Sequence, residues 1–173
     1  MSTDRISSRA GWVREGDLVK GPNGRNLCRW CGTEVPKGSR TFCSTKCVDE
    51  HKIRTDPGHV RRLLKQRDRG VCLFCGLDCL ALERGYKQWS HAPIVGMRNW
   101  LVAGLREKRF SPYQSMWAAD HIVPVVEGGG DCGLDNYRTL CVPCHKIVTA
   151  EWRRKKSKAK LLAHEVQDVE RNL

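Results

Sequence analysis

The chain predicts a small α+β fold, and three observations carry that reading. Eight of its ten cysteines stand in close pairs: Cys28/Cys31, Cys43/Cys47, Cys72/Cys75 and Cys141/Cys144. Aromatic residues are 7% of 173 and the mean hydropathy is −0.52, so the means to build an apolar core are limited. Helical spacing of apolar residues after 48 and after 143 alternates with short extended pieces and glycine turns. Paired thiols beside a sparse core point to bound zinc, which supplies folding free energy that a small core cannot.

Residues 1–27 form a polar N-terminal extension, with Gly21-Pro-Asn-Gly24 as a turn between two extended pieces, Trp12–Val19 and Asn26–Arg29. Residues 28–57 read as a four-cysteine zinc finger. Cys28, Cys31, Cys43 and Cys47 sit on tight turns, with Gly32, Pro36 and Gly38 between the pairs, as a knuckle and short hairpin require. His51, four residues after Cys47, is expected at the surface because four thiols already complete a tetrahedral site. Residues 48–69 are helical with a break at Asp56-Pro57-Gly58, and Val60, Leu63 and Leu64 give an apolar stripe among Arg61, Arg62, Lys65, Arg67 and Arg69.

Cys72 and Cys75 find their natural partners in Cys141 and Cys144, closing a second four-cysteine site. Cys79 and Cys132 are left over as buried or free thiols, with Cys79 a competitor for the place of Cys75. Residues 80–116 are an insertion of little periodicity within a domain spanning 58–156, and Asn99–Lys108 is a possible short helix there. Its tryptophans, Trp89 and Trp100, are expected to pack, while Arg98, Arg106, Lys108 and Arg109 remain open to phosphate contact. A helix runs from Pro143, and residues 157–173 form a basic, mixed-charge helical tail.

The net charge is +12, with a sequence pI of about 9.5, which points to a polyanionic partner, DNA or RNA before an anionic membrane surface. Six of the eight residues from Arg153 to Lys160 are cationic, a density suited to gripping a phosphate backbone. Arg153, Arg154, Lys155 and Lys156, with Arg138 and Lys146, are the candidate nucleic-acid contacts. There is no apolar run long enough to span a bilayer and no secretory pattern, so a soluble protein of the cytoplasm, or of the nucleus if eukaryotic, is expected, with no membrane partner and no small-molecule cofactor. In such a reducing compartment ten cysteines point to metal rather than disulfides.

The stretch from Trp117 to Lys146 carries the chemistry. It contains Asp120-His121, the glycine turn Glu127-Gly-Gly-Gly130, Asn136, and Cys141-x2-Cys144-His145. Phosphodiester hydrolysis needs a base to take a proton from water, and positive charge to stabilise the transition state and the leaving oxygen. His121 is the candidate base. Asp120 is a hard oxygen ligand for a divalent cation, and successive residues of an extended chain point to opposite sides, so one addresses metal and the other water. Asn136 offers an amide oxygen either to the metal or to fix the chain near the base. His145 follows Cys144 at the start of a helix.

In these residues the chain resembles the HNH endonucleases, whose active site is the ββα-metal finger. Gly70-Val-Cys72-x2-Cys75, Asp120-His-Ile-x-Pro, Gly128-Gly-Gly-x-Cys132-x-Leu-Asp-Asn136 and Thr139-Leu-Cys-x-x-Cys-His-Lys146 are similar to the HNH modules joined to eukaryotic annealing helicases, and to small stand-alone bacterial and phage HNH proteins. The resemblance runs from about residue 28 to 156. It implies His121 as general base, Asp120 as ligand to one Mg²⁺ or Mn²⁺, and either His145 or Asn136 as the second ligand. It also implies products with 5′-phosphate and 3′-hydroxyl ends. No helicase motor is present in this sequence. A zinc-stabilised module that binds nucleic acid without cutting it is the competing expectation.

Overall fold

The Cys-x2-Cys pairs at 28/31 and 72/75 fold into the same knuckle. In each, the glycine after the second cysteine adopts a left-handed conformation (Gly32 φ 75°, Gly76 φ 71°). In each, that glycine's N–H donates to the carbonyl of the first cysteine at 2.9 Å. The first cysteine's own N–H then reaches five residues ahead, Cys28 to Thr33 at 2.7 Å and Cys72 to Leu77 at 2.9 Å. Single β-bridges, Leu27 with Glu34 and Val71 with Asp78, close the two turns.

The computed structural model describes Val13 and residues 15–90, 102–111 and 114–171. Arg98, Trp100 and the side chain of Trp89, singled out above, lie outside the described residues, as do Trp12 and Asn99. The described residues divide between two compact units. One draws on 1–61 and 124–135, the other on 62–123 and 136–173.

In the first unit, Cys28, Val35 and Cys47 form the buried centre, with Trp30, Phe42 and Cys43 packed on it. Part of the stretch expected to be extended before Gly21 is instead a 3-10 turn, Glu15–Asp17. Its pairing starts only at Val19, whose carbonyl accepts from Leu27 N–H at 2.7 Å. Helix α1, Thr45–Thr55, is capped by the Ser44 side chain, which accepts from Cys47 N–H at 3.3 Å. Helix α2 spans Pro57–Asp68. The break between them falls at Asp56, held extended (φ −133°, ψ 96°) as a residue before proline prefers. Asp56 then caps α2, its Oδ1 accepting from Gly58 and His59 N–H at 2.9 and 3.1 Å. Residues 124–135 wind through two 3-10 turns, Val125–Glu127 and Gly129–Asp131, joined at Gly128 (φ 91°). Arg54, whose guanidinium lies 4.3 Å over the Trp30 ring, donates to the Asp131 carbonyl at 2.9 Å.

The second unit holds the antiparallel pair β1, Trp117–His121, and β2, Tyr137–Cys141. Its register sets Trp117 opposite Cys141, Asp120 opposite Arg138, and His121 opposite Tyr137. Leu140, Thr139, Met116 and Cys141 are almost fully buried. The end of α2 is tied to β2: Asp68 accepts from the Thr139 hydroxyl at 2.7 Å, and Arg67 donates to the Tyr137 carbonyl at 2.7 Å. Gly70 (φ 76°) is required as glycine, since a Cβ there would lie 2.3 Å from Leu80.

The insertion is more regular than its composition suggests. Helix α3, Cys79–Ser90, begins where Asp78 Oδ1 accepts from Ala81 N–H at 2.8 Å. Its Glu83 accepts from Met116 N–H and from the Ser115 hydroxyl at 2.9 and 3.0 Å. A further helical segment, α4, covers 102–107. It ends with Arg109 left-handed (φ 64°) and Phe110 N–H returning to the Leu105 carbonyl at 2.8 Å. From β2 the chain passes directly into α5, Val142–Arg171, so the order β1, β2, α5 is a β–β–α unit. Pro143 falls in its first turn, where a missing N–H costs nothing. The protein is thus small α+β with two four-cysteine clusters. No helix among the described residues is long and apolar enough to cross a membrane.

Candidate active site

Two kinds of site are built from the residues predicted to act. The first kind is sulfur only. Cys28, Cys31, Cys43 and Cys47 gather in the first unit, and Cys72, Cys75, Cys141 and Cys144 in the second, with the sulfur atoms of each set all within 4.8 Å of one another. Individual separations are 3.5 Å for Cys31–Cys43, 3.4 Å for Cys43–Cys47 and 3.7 Å for Cys75–Cys141. Four thiolates at about 2.3 Å from one tetrahedral zinc would stand roughly 3.8 Å apart, so both sets fit that ion.

The thiols themselves call for a cation. The Thr33 hydroxyl and N–H lower Cys31 to about 6, whereas Cys47, despite the Ser44 hydroxyl, is pushed up to about 12 by neighbouring Cys43 and by burial. In the other set, burial opposes ionisation of Cys72, yet the N–H groups of Cys141, Cys75 and Phe74 bring it down to about 7. Burial and the adjoining Cys141 raise Cys144. Cys28 and Cys31 in one cluster and Cys72 in the other are thus lowered while Cys47 and Cys144 are raised, so four thiolates form together only with a compensating positive charge. The two spare cysteines stand apart from both clusters. Cys79 is fully buried, its thiol pushed up to about 12 by burial. Cys132 approaches the Gly128 carbonyl. His51 also stays outside the finger's sulfur set, packed edge-on against Phe42 at 5.1 Å.

The second kind of site is on the β–β–α unit. Asp120, near the end of β1, turns one carboxylate oxygen to His145 Nε2 from the first turn of α5, at 3.4 Å. Its other oxygen accepts from Arg138 Nε at 2.7 Å, across the strand pair. Asp120 and Arg138 are mostly buried, with side chains 12% and 16% exposed, whereas His145 is 38% exposed. His121, next along β1, stacks at 4.2 Å on the ring of its cross-strand partner Tyr137. Burial lowers the His121 pKa below its ordinary value, against the opposing pull of Asp120, so the neutral base is favoured.

The Asn136 side chain is bonded to the loop that follows His121. Its Oδ1 accepts from Val123 N–H at 2.8 Å and its Nδ2 donates to the Val123 carbonyl at 3.0 Å. The Asn136 carbonyl also accepts from Ile122 N–H at 2.7 Å. These three bonds lock the chain directly after His121. Asp120 and His145 are therefore the pair brought together as candidate ligands. Two adjacent ligands of an octahedral cation at roughly 2.1 Å lie about 3 Å apart, close to the separation found.

The other predicted contacts divide. Arg138 is engaged with Asp120 and lies 4.9 Å over the Phe74 ring. Lys146 Nζ donates to the Arg109 carbonyl at 3.4 Å. Arg153, Arg154, Lys155 and Lys156 are exposed on α5, with Lys156 5.0 Å over Trp152. The ion pair of Arg138 with Asp120 and the stacking by Tyr137 and Phe74 did not emerge from the sequence. The signal available was the register: opposite charges equally far from the Trp117–Cys141 pair face each other.

Residues 106–151 match the HNH endonuclease family model, and the chain belongs to that family. It carries an HNH nuclease domain, and such domains act on nucleic acid. Among its relatives is the mouse DNA annealing helicase and endonuclease ZRANB3, 34% identical over 156 residues, which cover 81% of this chain and 15% of that protein. The human ZRANB3 is 34% identical over 129 residues, covering 69% of this chain and 12% of the relative. The chain thus spans a small fraction of the length of these relatives. The crystal structure of the human ZRANB3 HNH domain is 30% identical, with a TM-score of 0.45, covering 61% of this chain and 97% of that one.

Proposed function

We propose that the protein is a metal-dependent endonuclease that hydrolyses DNA phosphodiester bonds. The observation that carries this reading is the approach of His145 Nε2 to Asp120 Oδ1, 3.4 Å, beside a strand neighbour, His121, whose burial favours the neutral base. His121 takes the proton of the attacking water, as an imidazole with a lowered pKa can do at neutral pH. Tyr137 holds the ring from one side. Asn136 positions the backbone after His121 through Val123. Asp120 and His145 would hold a Mg²⁺ or Mn²⁺, which would supply the positive charge needed by the transition state and the leaving oxygen. Two structural zinc ions, held by Cys28, Cys31, Cys43 and Cys47 and by Cys72, Cys75, Cys141 and Cys144, complete the cofactor set. The exposed cations from Arg153 onward grip the phosphate backbone. The proposed location is the cytoplasm, or the nucleus, with the eight clustered cysteines reserved for metal rather than disulfides.

The test is a panel of labelled flap, fork, single-stranded, duplex and RNA substrates with Mg²⁺ or Mn²⁺, comparing the protein with His121→Ala. The reading expects DNA nicking that the substitution abolishes while binding survives. Binding without cleavage of any substrate under either metal would make the protein a binding module instead.

A further inference from the structure

Arg138, expected from the sequence to contact nucleic acid, is held against Asp120 instead. It is 16% exposed, its guanidinium lies between the Phe74 ring at 4.9 Å and Asp120 Oδ2 at 2.7 Å, and it stands directly across the strands from Asp120. A guanidinium so held cannot swing freely to solvent as the exposed Arg153 and Arg154 can. Its effect on Asp120 is twofold. It fixes the carboxylate so that Oδ1 faces His145, and it balances the one negative charge in that pair.

A carboxylate and an imidazole form a cation site whose attraction comes almost entirely from the carboxylate charge. With that charge already balanced by Arg138, and one oxygen engaged, Asp120 and His145 alone make a weak, two-ligand site. A substrate phosphate would add both oxygens and negative charge. We propose that Arg138 is a positioning residue that keeps the Asp120–His145 site weak for divalent cations until a substrate phosphate completes it, so that metal loading follows nucleic-acid binding. This rests on the reading of Asp120 and His145 as metal ligands.

The test measures Mn²⁺ binding to the zinc-loaded full chain without nucleic acid, by loss of the free Mn²⁺ electron paramagnetic resonance signal. Two variants remove the charge: Arg138→Gln, and Arg138→Met, whose stem still covers Phe74 and so guards the fold. Arg138→Lys keeps the charge, and Asp120→Asn identifies the site. A unit charge removed from beside a divalent ion changes affinity by roughly tenfold at close to the dielectric of water, the case for a site that the half-exposed His145 leaves open to solvent. The expected result is about tenfold tighter, Asp120-dependent Mn²⁺ binding in Arg138→Gln and Arg138→Met, with Arg138→Lys close to the unsubstituted protein. Equal or weaker binding in a charge-removing variant with full zinc content overturns the proposal and leaves the metal site standing. If Mn²⁺ binding to every form is indifferent to Asp120→Asn, the metal-site reading falls, and this proposal with it.

Discussion

Replacing Asn136 separates the two jobs that its family position allows. The side chain is 8% exposed and makes a reciprocal pair of hydrogen bonds with Val123, at 2.8 and 3.0 Å. Asn136→Ala removes both, at about 1 kcal/mol each, and leaves a partly buried Val123 N–H and carbonyl to be satisfied otherwise, at about 1 kcal/mol more. The sum is about 2–3 kcal/mol, a fall in melting temperature of roughly 4–12 °C for a chain of this size. Asn136→Asp sharpens the distinction. The carboxylate still accepts from Val123 N–H, but it sets a second oxygen against the Val123 carbonyl, so stability falls again. A metal ligand would behave in the opposite way, because a carboxylate binds Mg²⁺ or Mn²⁺ better than an amide does. Urea unfolding followed by circular dichroism reads the first quantity, and Mn²⁺ titration the second. Unchanged stability in Asn136→Ala, or tighter Mn²⁺ binding in Asn136→Asp, would refute the assignment of this residue to the loop.

Metal analysis after chelation of loosely held ions should return two zincs per chain; Cys144→Ala should lower this to one and, by freeing the first turn of α5, abolish cleavage. A single zinc in the unsubstituted protein would break the pairing of Cys72 and Cys75 with Cys141 and Cys144 or that of the finger. Because the folded His121 pKa lies below its ordinary 6.5, the neutral base persists as pH falls to that value and is lost only below it. The acid limb of the cleavage rate should thus have its midpoint under 6.5, and a midpoint above it contradicts the role given to burial. Changing Arg153, Arg154, Lys155 and Lys156 to Gln should weaken binding to all sequences alike and reduce the slope of log affinity against log salt by up to about 3–4. An unaltered slope would make that segment solvated surface.

The parts legible in the sequence were those set by short-range rules. Knuckle spacing picked out all eight clustered cysteines, and Asp56-Pro57 marked the helix break, because turn chemistry and the proline ring act on immediate neighbours. Helix α3 was missed since its start depends on one Asp78 cap and its register on Glu83 reaching Met116, 33 residues away. At the site, Asp120, His121 and His145 could be named from their motif. The partner of Arg138 could not, as it follows from a strand register, nor could the bonds between Asn136 and Val123, which depend on how the loop returns.

Helix α5 also sets a distance. It begins in the site with His145 and continues unbroken to Arg171. At about 1.5 Å of rise per residue, the cations from Arg153 to Lys160 stand roughly 12–22 Å along the axis from that histidine. On the proposed reading the helix is a ruler that would fix the strand several nucleotides away from the bond that breaks. A fragment too short to span that interval would reach His121 yet gain nothing from the basic segment. The length of the substrate, independent of its sequence, should therefore govern how tightly it is held.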